Sequence, residues 1–359
     1  MSASEELLTL HRRADGRTCY EFMRFMSAPH HGFDLRTLQR KGMGAVATKS
    51  FRKGDRILAE RPLLAWHTKA YNPVQRTPKP LHDFRELDTL VECLDARSRE
   101  LFFGLADSCI FEGSPDCCKT VRGIWNTNSF RTEDVMGDSL SEATDGVRRS
   151  AVFSTLCRFN HACVPNCFTA WSAHLQSQTV HALRDIGCDE ELTIAYVAGA
   201  EAGSRAHRHA LLQRKYSFTC ACDVCCLHGL ALELSDRRQQ RLAQIHTELA
   251  SGAPHSGKSA AGGTGMAREG GHGNDPNNIA GALEVLVEEH LQLMSDERLP
   301  EAWGRAGMFL LVAQMVTRGD HARAAAWARR GARAASVALG DDSSAFCKFR
   351  DVAEVLANG

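Results

Sequence analysis

The chain has 359 residues, in which 43 lysine and arginine residues balance 43 aspartate and glutamate residues. A chain of this length can bury a substantial core and divide into more than one unit. The formal net charge of zero excludes the overall positive field that is typical of proteins built to hold nucleic acid. No direct nucleic-acid binding is therefore expected. No apolar run approaches the roughly 20 residues that cross a bilayer, so no membrane association is expected either.

The N-terminal segment, residues 1–32, carries charged side chains early and lacks the continuous apolar stretch of a secretory signal. We therefore expect the protein to stay in the cytoplasm, the nucleus or both. Thiols remain reduced in these compartments. The 14 cysteines then indicate metal binding or small buried side chains rather than disulfides.

The first half of the chain has the pattern of short strands separated by turns. Lys53-Gly54-Asp55 predicts a hairpin turn between two of these strands. Apolar residues at helical spacing predict a helical segment over 80–112. The predicted strands are 33–38, 44–48, 56–60, 167–171, 179–183 and 191–196.

The last third of the chain changes character twice. Residues 229–250 are predicted to form a connecting helix, and residues 251–278 are so rich in Gly, Ser and Ala that they predict a flexible linker. From residue 279 onward, helical spacing with two Gly-Asp pairs as turns predicts three or four antiparallel helices over 279–357. Their rhythm is similar to that of tetratricopeptide hairpins.

Three cysteines, Cys220, Cys222 and Cys225, lie within six residues of one another. Three thiolates can close on one Zn²⁺, but a structural zinc site has four ligands. The spacing leaves three candidates for the fourth ligand. Cys226 and His228 are local candidates, and Cys163 is a distant one.

Residues 160–166 place amide, imidazole and thiol groups in a turn just before a strand. Taken alone, the Asn160-His161 pair is more often structural than catalytic, because such side chains satisfy loop backbone groups. Gly42, Gly44 and Ala47 also imitate a dinucleotide-binding fingerprint. That fingerprint must open a helix, whereas this segment turns at once into another strand.

Five segments follow one another along the chain: Lys41–Ala47, Asn128–Phe130, Asn160–Asn166, Glu191–Tyr196 and Cys220–Cys225. Taken together and in this order, they resemble the SET-domain protein methyltransferases, and specifically the SMYD-type branch. They span about residues 33–226. The last of the five resembles the family's cysteine-rich post-SET motif. Members of this branch carry a MYND zinc finger, but residues 67–127 lack its closely spaced Cys and His ligands. We therefore expect no MYND finger in this segment.

The resemblance implies an α+β protein with a β-rich SET fold, a helical insert, a zinc-bound post-SET loop and a C-terminal α-helical, tetratricopeptide-like module. The helical insert is expected at about 67–127. The predicted boundaries are 33–200 for the SET domain, 201–228 for the post-SET region and 279–359 for the C-terminal helical domain.

The activity implied by the resemblance is transfer of a methyl group from S-adenosyl-L-methionine to the side-chain amine of a lysine in a protein substrate. Tyr196, Tyr216 and Phe130 are the residues that would line the lysine channel. The Tyr196 hydroxyl would orient the amine and accept weak hydrogen bonds from the polarised methyl group. The rival hypothesis is an inactive SET scaffold whose helices bind a partner. The chain is expected to be a monomer.

The resemblance also implies which residues bind the two cofactors. Phe218 stands where the family places an aromatic ring against the adenine, although an aromatic that only packs the zinc loop remains an alternative. Cys163 would join Cys220, Cys222 and Cys225 as the fourth ligand of one Zn²⁺. The residues implied for S-adenosyl-L-methionine are Lys41, Gly42, Met43, Gly44, Asn128, Asn160, His161, Tyr196 and Phe218.

Overall fold

A computed structural model gives the fold of most of the chain, and the residues it describes fall into two compact units. The first unit is drawn from 1–196, 209–220 and 338–340, and the second from 197–208, 221–337 and 341–359. The described residues are 10–12, 18–20, 32–39, 41–69, 84–108, 119–132, 147–197, 203–251 and 276–358.

The strands of the described residues all lie in the first unit, and most of them are short. The predicted strands at 33–38 and 56–60 are confirmed with those bounds. The strands are β1 (Leu10–Arg12), β2 (Thr18–Tyr20), β3 (Phe33–Leu38), β4 (Gly42–Ala47), β5 (Arg56–Glu60), β6 (Leu64–Lys69), β7 (Phe130–Arg131), β8 (Val147–Val152), β9 (Asn160–His161), β10 (Cys167–Ser172), β11 (Ser177–Ala182) and β12 (Glu191–Ile194).

These strands form small sheets. β1 pairs with β2, and the other sheets have the strand orders β10-β11-β5, β3-β4-β12-β9 and β6-β8-β7. Among the described strands only the β12–β9 pair is parallel, and it brings Thr193 opposite Asn160 and Ile194 opposite His161. Two motif segments far apart in the chain, 160–166 and 191–196, therefore start from neighbouring strands.

A hydrophobic core fixes these sheets. Phe33, Phe153, Phe159, Leu192 and Ile194 are almost completely buried within one cluster. Alternation along β12 sends Leu192 and Ile194 into this core, while Glu191 and Thr193 lie on the other face. The strand therefore supplies both packing and polar side chains.

The Lys53–Asp55 turn does not close a hairpin, so that prediction is wrong. β4 and β5 lie in different sheets. Phe51 instead bridges to Ile186, and the backbone N–H of Gly54 donates to Ala182 O at 2.8 Å. The Gly54 φ of 93° gives the tight reversal that the glycine signalled. The reversal carries the chain from one sheet to the next.

Two helices lie within the predicted helical segment at 80–112, in the part that the structure describes, residues 84–108. Asp95 caps the second of them, because its carboxylate accepts a hydrogen bond from Ser98 N at 3.0 Å. Thr120 caps the following helix by accepting from Gly123 N at 2.9 Å. The helices of the first unit's insert are α1 (Phe84–Glu92), α2 (Ala96–Phe103) and α3 (Val121–Asn128).

Helices make up the rest of the described chain. The four C-terminal helices match the prediction of three or four, and Gly319 and Gly340, with φ of 76° and 86°, end two of them as expected. Most of the predicted linker, residues 252–275, lies outside the described residues, and the next helix begins at Pro276. The helices are α4 (Arg205–Tyr216), α5 (Gly229–Ser251), α6 (Pro276–Asp296), α7 (Arg305–Thr317), α8 (His321–Leu339) and α9 (Ser344–Asn358).

The α+β class is thus confirmed. Among the described helices, none combines the length and the apolar composition that crossing a membrane requires.

The packing of α8 against α9 gives a sharp test of the helical unit. A Cβ placed on Gly331 of α8 would lie 2.5 Å from Cε1 of Phe349, and Phe349 is 1% exposed. Because the buried ring has little room to move, we expect Gly331→Ala to destabilise the protein by about 1–3 kcal/mol in urea unfolding.

Gly281→Ala is the matched control. Gly281 lies inside α6 and is exposed, and its added Cβ would meet no atom within 4 Å. Alanine has the higher helix propensity, so this variant should gain up to about 1 kcal/mol. Equal unfolding midpoints for the two variants would contradict the packing of Phe349 on Gly331.

Candidate active site

The segment 160–166 is held against β12 by its own side chains. The Asn166 carboxamide oxygen accepts from Thr193 N at 2.8 Å, and its amide nitrogen donates to Glu191 O at 2.8 Å. Asn166 is 2% exposed, so these bonds replace the water that its amide loses on burial. The side chain thereby extends the β9–β12 pairing beyond the two residues of β9.

The turn that leads into β9 is fixed by Glu60, at the end of β5. Its carboxylate accepts hydrogen bonds from Thr155 N at 2.9 Å, Leu156 N at 2.8 Å and the Ser154 hydroxyl at 2.8 Å. A carboxylate is favoured there, because the first N–H groups of a helical turn have no partner within the turn. A short 3₁₀ turn, Leu156–Arg158, follows.

Tyr196 is tied to the same segment at two points. Its backbone N–H donates to Nδ1 of His161 at 2.9 Å, and its hydroxyl donates to Phe159 O at 2.7 Å. The ring lies against the hydrophobic core. Burial, the largest cause, raises the pKa of Tyr196 above its usual value, and the neighbouring ionisable groups add to the shift. The side chain is therefore a neutral hydroxyl with a fixed direction.

Tyr216 and Phe218 come from the end of α4 and are directed by Ser217. Ser217 has φ of 59°, a left-handed conformation that few residues other than glycine adopt. Its hydroxyl donates to Ser108 O at 2.7 Å, while the Ser108 hydroxyl donates to Lys215 O at 2.6 Å. These reciprocal bonds support a conformation that would otherwise cost of order 1 kcal/mol or more.

Four rings therefore meet in one place, and we call His161, Tyr196, Tyr216 and Phe218 the aromatic cluster. The ring centroids of Tyr196 and Tyr216 lie 4.8 Å apart, and those of Tyr196 and Phe218 lie 6.3 Å apart at 87°. The His161 ring is 5.3 Å from Tyr196 and 6.1 Å from Phe218. These separations are typical of favourable aromatic pairs. The structure thus brings together four of the predicted site residues.

Two other predicted residues lie in different surroundings. Phe130 packs edge-on against Phe153, with centroids 5.9 Å apart, and shares the core cluster with Tyr196. The Asn128 amide nitrogen donates to Ala106 O and Ile124 O, both at 2.7 Å. These bonds give Asn128 a structural task at the end of α3. The predicted roles of both residues in the channel and the cofactor site stay predictions.

The predicted glycine-containing segment forms part of the β3–β4 hairpin, and its strand begins two residues before the predicted residue 44. β4 already begins at Gly42, which has φ of 68° and pairs with Leu38. A Cβ on Gly44 would lie 2.7 Å from the Asn160 amide nitrogen. Gly44 therefore allows the hairpin to approach Asn160 closely. Met43 contributes its sulfur to a long contact with the Thr37 hydroxyl, at 4.0 Å.

Glu191 connects the hairpin to the 160–166 segment, and the sequence analysis did not single it out. One carboxylate oxygen accepts from Lys41 Nζ at 2.6 Å, and the other accepts from the Asn160 amide at 2.9 Å. The Glu191 side chain is 19% exposed and that of Lys41 is 52% exposed. The sequence signal for Glu191 is its position before Leu192 in a predicted strand. Alternation places it on the face opposite the buried leucine.

The cysteines gather as the resemblance implied. The sulfurs of Cys163, Cys220, Cys222 and Cys225 all lie within 4.8 Å of one another. Cys163 Sγ is 4.0 Å from Cys220 Sγ. Of the three candidates for the fourth member, Cys163 is therefore the one that the structure groups with the others among the described residues.

Comparisons with known proteins give matches both to the central part of the chain and to most of its length. The SET domain family matches residues 42–197. The chain is 26% identical to the histone-lysine N-methyltransferase set5 of Schizosaccharomyces pombe over 321 residues, which cover 88% of this chain and 82% of that protein.

Shorter matches link the chain to a second group of relatives. It is 35% identical over 77 residues to the protein-lysine N-trimethyltransferase SMYD5 of Danio rerio, covering 21% of this chain and 19% of that protein. It is 39% identical over 67 residues to SMYD5 of Homo sapiens, covering 18% and 16%. The match to the SET domain family includes His161 and Tyr196 of the aromatic cluster, and the chain is similar over most of its length to a histone-lysine methyltransferase.

Proposed function

We propose that the chain transfers a methyl group from S-adenosyl-L-methionine to the side-chain amine of a lysine in a protein substrate. The observation that carries the proposal is the double anchoring of Tyr196 within the aromatic cluster. The relatives named above act on histone lysine and on protein lysine, which supports a protein substrate. Such a substrate would be met in the nucleus or the cytoplasm.

The polar groups beside Glu191 suit the amino-acid end of this cofactor. That end carries one ammonium and one carboxylate group. Glu191 can accept from an ammonium, Lys41 can pair with a carboxylate, and the Asn160 amide can serve either charge. The chemistry of this donor set therefore fits the group. Gly42 and Met43 would contribute backbone from the adjoining hairpin.

The aromatic cluster suits the other parts of the reaction. The Phe218 and His161 rings can pack against the adenine, while Tyr196 and Tyr216 can wall the lysine channel. A lysine in water has a pKa of about 10.4 and is protonated at neutral pH. Aromatic walls disfavour the charged form, so they lower the pKa of the bound amine and leave its lone pair free to react.

S-adenosyl-L-methionine would supply an electrophilic methyl group on a sulfonium. The Tyr196 hydroxyl gives its proton to Phe159 O, so its lone pairs face away from that carbonyl. They can accept from the amine and from the polarised methyl hydrogens, and so align the amine with the methyl carbon. Since burial raises the pKa of Tyr196, this residue acts through orientation and does not serve as a base.

The cysteine cluster has the chemistry of a zinc site. Zinc bound by four sulfurs at about 2.3 Å in a tetrahedron needs those sulfurs about 3.8 Å apart. The observed grouping within 4.8 Å fits that ion. Cys220 lies two residues after Phe218, so a metal there would also restrain Phe218 and Tyr216.

The role of Tyr196 can be tested by Tyr196→Phe. Loss of the hydroxyl removes both the bond to Phe159 O and the alignment of the amine. We expect transfer of labelled methyl to a cell extract to fall by about 100-fold, while calorimetry still detects cofactor binding. Tyr20→Phe, the same change outside the five motif segments, is the control and should keep the wild-type rate.

A wild-type protein that binds the cofactor but transfers no methyl, with Tyr196→Phe indistinguishable from it, would favour the inactive scaffold instead. If the wild type is active and Tyr196→Phe transfers methyl at the same rate, the orienting role of Tyr196 is contradicted, but the methyltransferase activity is not.

The zinc assignment predicts about one Zn²⁺ per purified chain. Cys163→Ser should lower both zinc content, measured by elemental analysis, and methyl transfer. Cys226→Ser is the matched control, because Cys226 is exposed and adjacent to the cluster without being grouped in it. It should keep both values. Normal zinc content in Cys163→Ser would rule out Cys163 as a ligand.

A further inference from the structure

The imidazole of His161 lies between the backbone of Tyr196 and the sulfur of Cys163. Its Nδ1 is 2.9 Å from Tyr196 N, and its Nε2 is 3.5 Å from Cys163 Sγ. Both His161 and Cys163 are buried, with 7% and 6% exposure. One ring thus touches the predicted catalytic tyrosine at one edge and a predicted metal ligand at the other.

The hydrogen-bond chemistry fixes which ring nitrogen carries the proton. A backbone N–H can only donate, so Nδ1 must present its lone pair to Tyr196. In the neutral ring the hydrogen then sits on Nε2, where it points toward Cys163 Sγ. A thiolate that binds metal is a good acceptor for such a donor.

We propose that His161 is a positioning residue that couples the cysteine cluster to Tyr196 through its side chain. The inference rests on the proposed function in that the cluster holds zinc and Tyr196 orients the lysine. With both nitrogens engaged, His161 contributes to the cofactor site by its backbone and ring face. The metal-bound sulfur of Cys163 then restrains Nε2 of the ring, and Nδ1 restrains the backbone N–H of Tyr196.

Arg208 offers a comparison within the same cluster. Its guanidinium lies 3.9 Å from Cys225 Sγ and also donates to Gly203 O at 2.7 Å. It therefore gives an N–H donor to a second sulfur of the cluster. A change at Arg208 should affect metal retention alone, whereas a change at His161 should affect both metal retention and Tyr196.

The wild-type protein gives the first test, which needs no variant to fold and no turnover. In protein labelled with nitrogen-15 at histidine, long-range proton–nitrogen spectra distinguish the two neutral ring forms. We expect the zinc-loaded protein to show His161 with hydrogen on Nε2 and none on Nδ1. The His161→Asn spectrum identifies the resonance by its loss. Hydrogen on Nδ1 would overturn the proposal.

Two isosteric variants separate the two edges of the ring. His161→Asn keeps an acceptor near the Nδ1 position, and His161→Gln keeps a donor near the Nε2 position. We expect His161→Asn to lose zinc to a chelator about 10- to 100-fold faster than the wild type, because the Cys163 sulfur loses a hydrogen-bond donor. His161→Gln should hold zinc as the wild type does but show a lower kcat, together with a higher cofactor KM because the ring face is lost.

Arg208→Lys completes the design. It should speed zinc release while leaving the Tyr196 amide resonance where the wild type has it, whereas His161→Gln should shift that resonance. Wild-type zinc release in His161→Asn, or an unmoved Tyr196 resonance in His161→Gln, would overturn the coupling. If the wild type transfers no methyl at all, the proposed function fails, while ring form, zinc release and the Tyr196 resonance still decide on the link.

Discussion

Two hydrogen bonds from Tyr196 to one three-residue segment determine the shape of the candidate active site. The backbone N–H reaches His161 and the hydroxyl reaches Phe159 O, so the ring is held at its base and at its tip. Neither bond could form unless β9 ran parallel to β12, with Ile194 opposite His161. The direction of one hydroxyl therefore depends on a strand pairing of two residues.

That pairing is short, and side chains outside it provide further hydrogen bonds to the backbone on either side of β9. Glu60 caps the turn before β9, and Asn166 continues the hydrogen bonding after it. Each replaces backbone bonds that a longer strand would provide, and each is buried or partly buried, where an unpaired polar group would be costly. The site is accordingly built by polar side chains that do no chemistry themselves.

Local patterns in the sequence predicted much of this arrangement. Apolar alternation found β3 and β5 with their bounds, and glycine turns found the ends of two C-terminal helices. The turn at Gly54 was recognised but its consequence was not, because turn chemistry signals a reversal and says nothing about which strand lies next to it. Asp95 is of a residue type that commonly caps helices, and it begins the second of the two helices within 80–112.

The remaining features depend on contacts across long stretches of sequence. Glu191 meets Lys41 150 positions away, which only the β4–β12 pairing brings about. The approach of Tyr216 to Tyr196 requires Ser217 in a left-handed conformation, and a serine gives no sequence signal for it. The cysteine grouping was reached through the family resemblance, since spacing alone left Cys226 and His228 as equal candidates for the fourth ligand.

The central claim is that one metal site and one anchored tyrosine together shape the pocket. The most direct measurement is a crystal structure with S-adenosylhomocysteine, using diffraction data collected at the zinc absorption edge. The account predicts one anomalous peak between the sulfurs of Cys163, Cys220, Cys222 and Cys225, with the adenine against Phe218 and the sulfur of the ligand facing Tyr196. The absence of an anomalous peak there, or a ligand bound away from Tyr196, would contradict it.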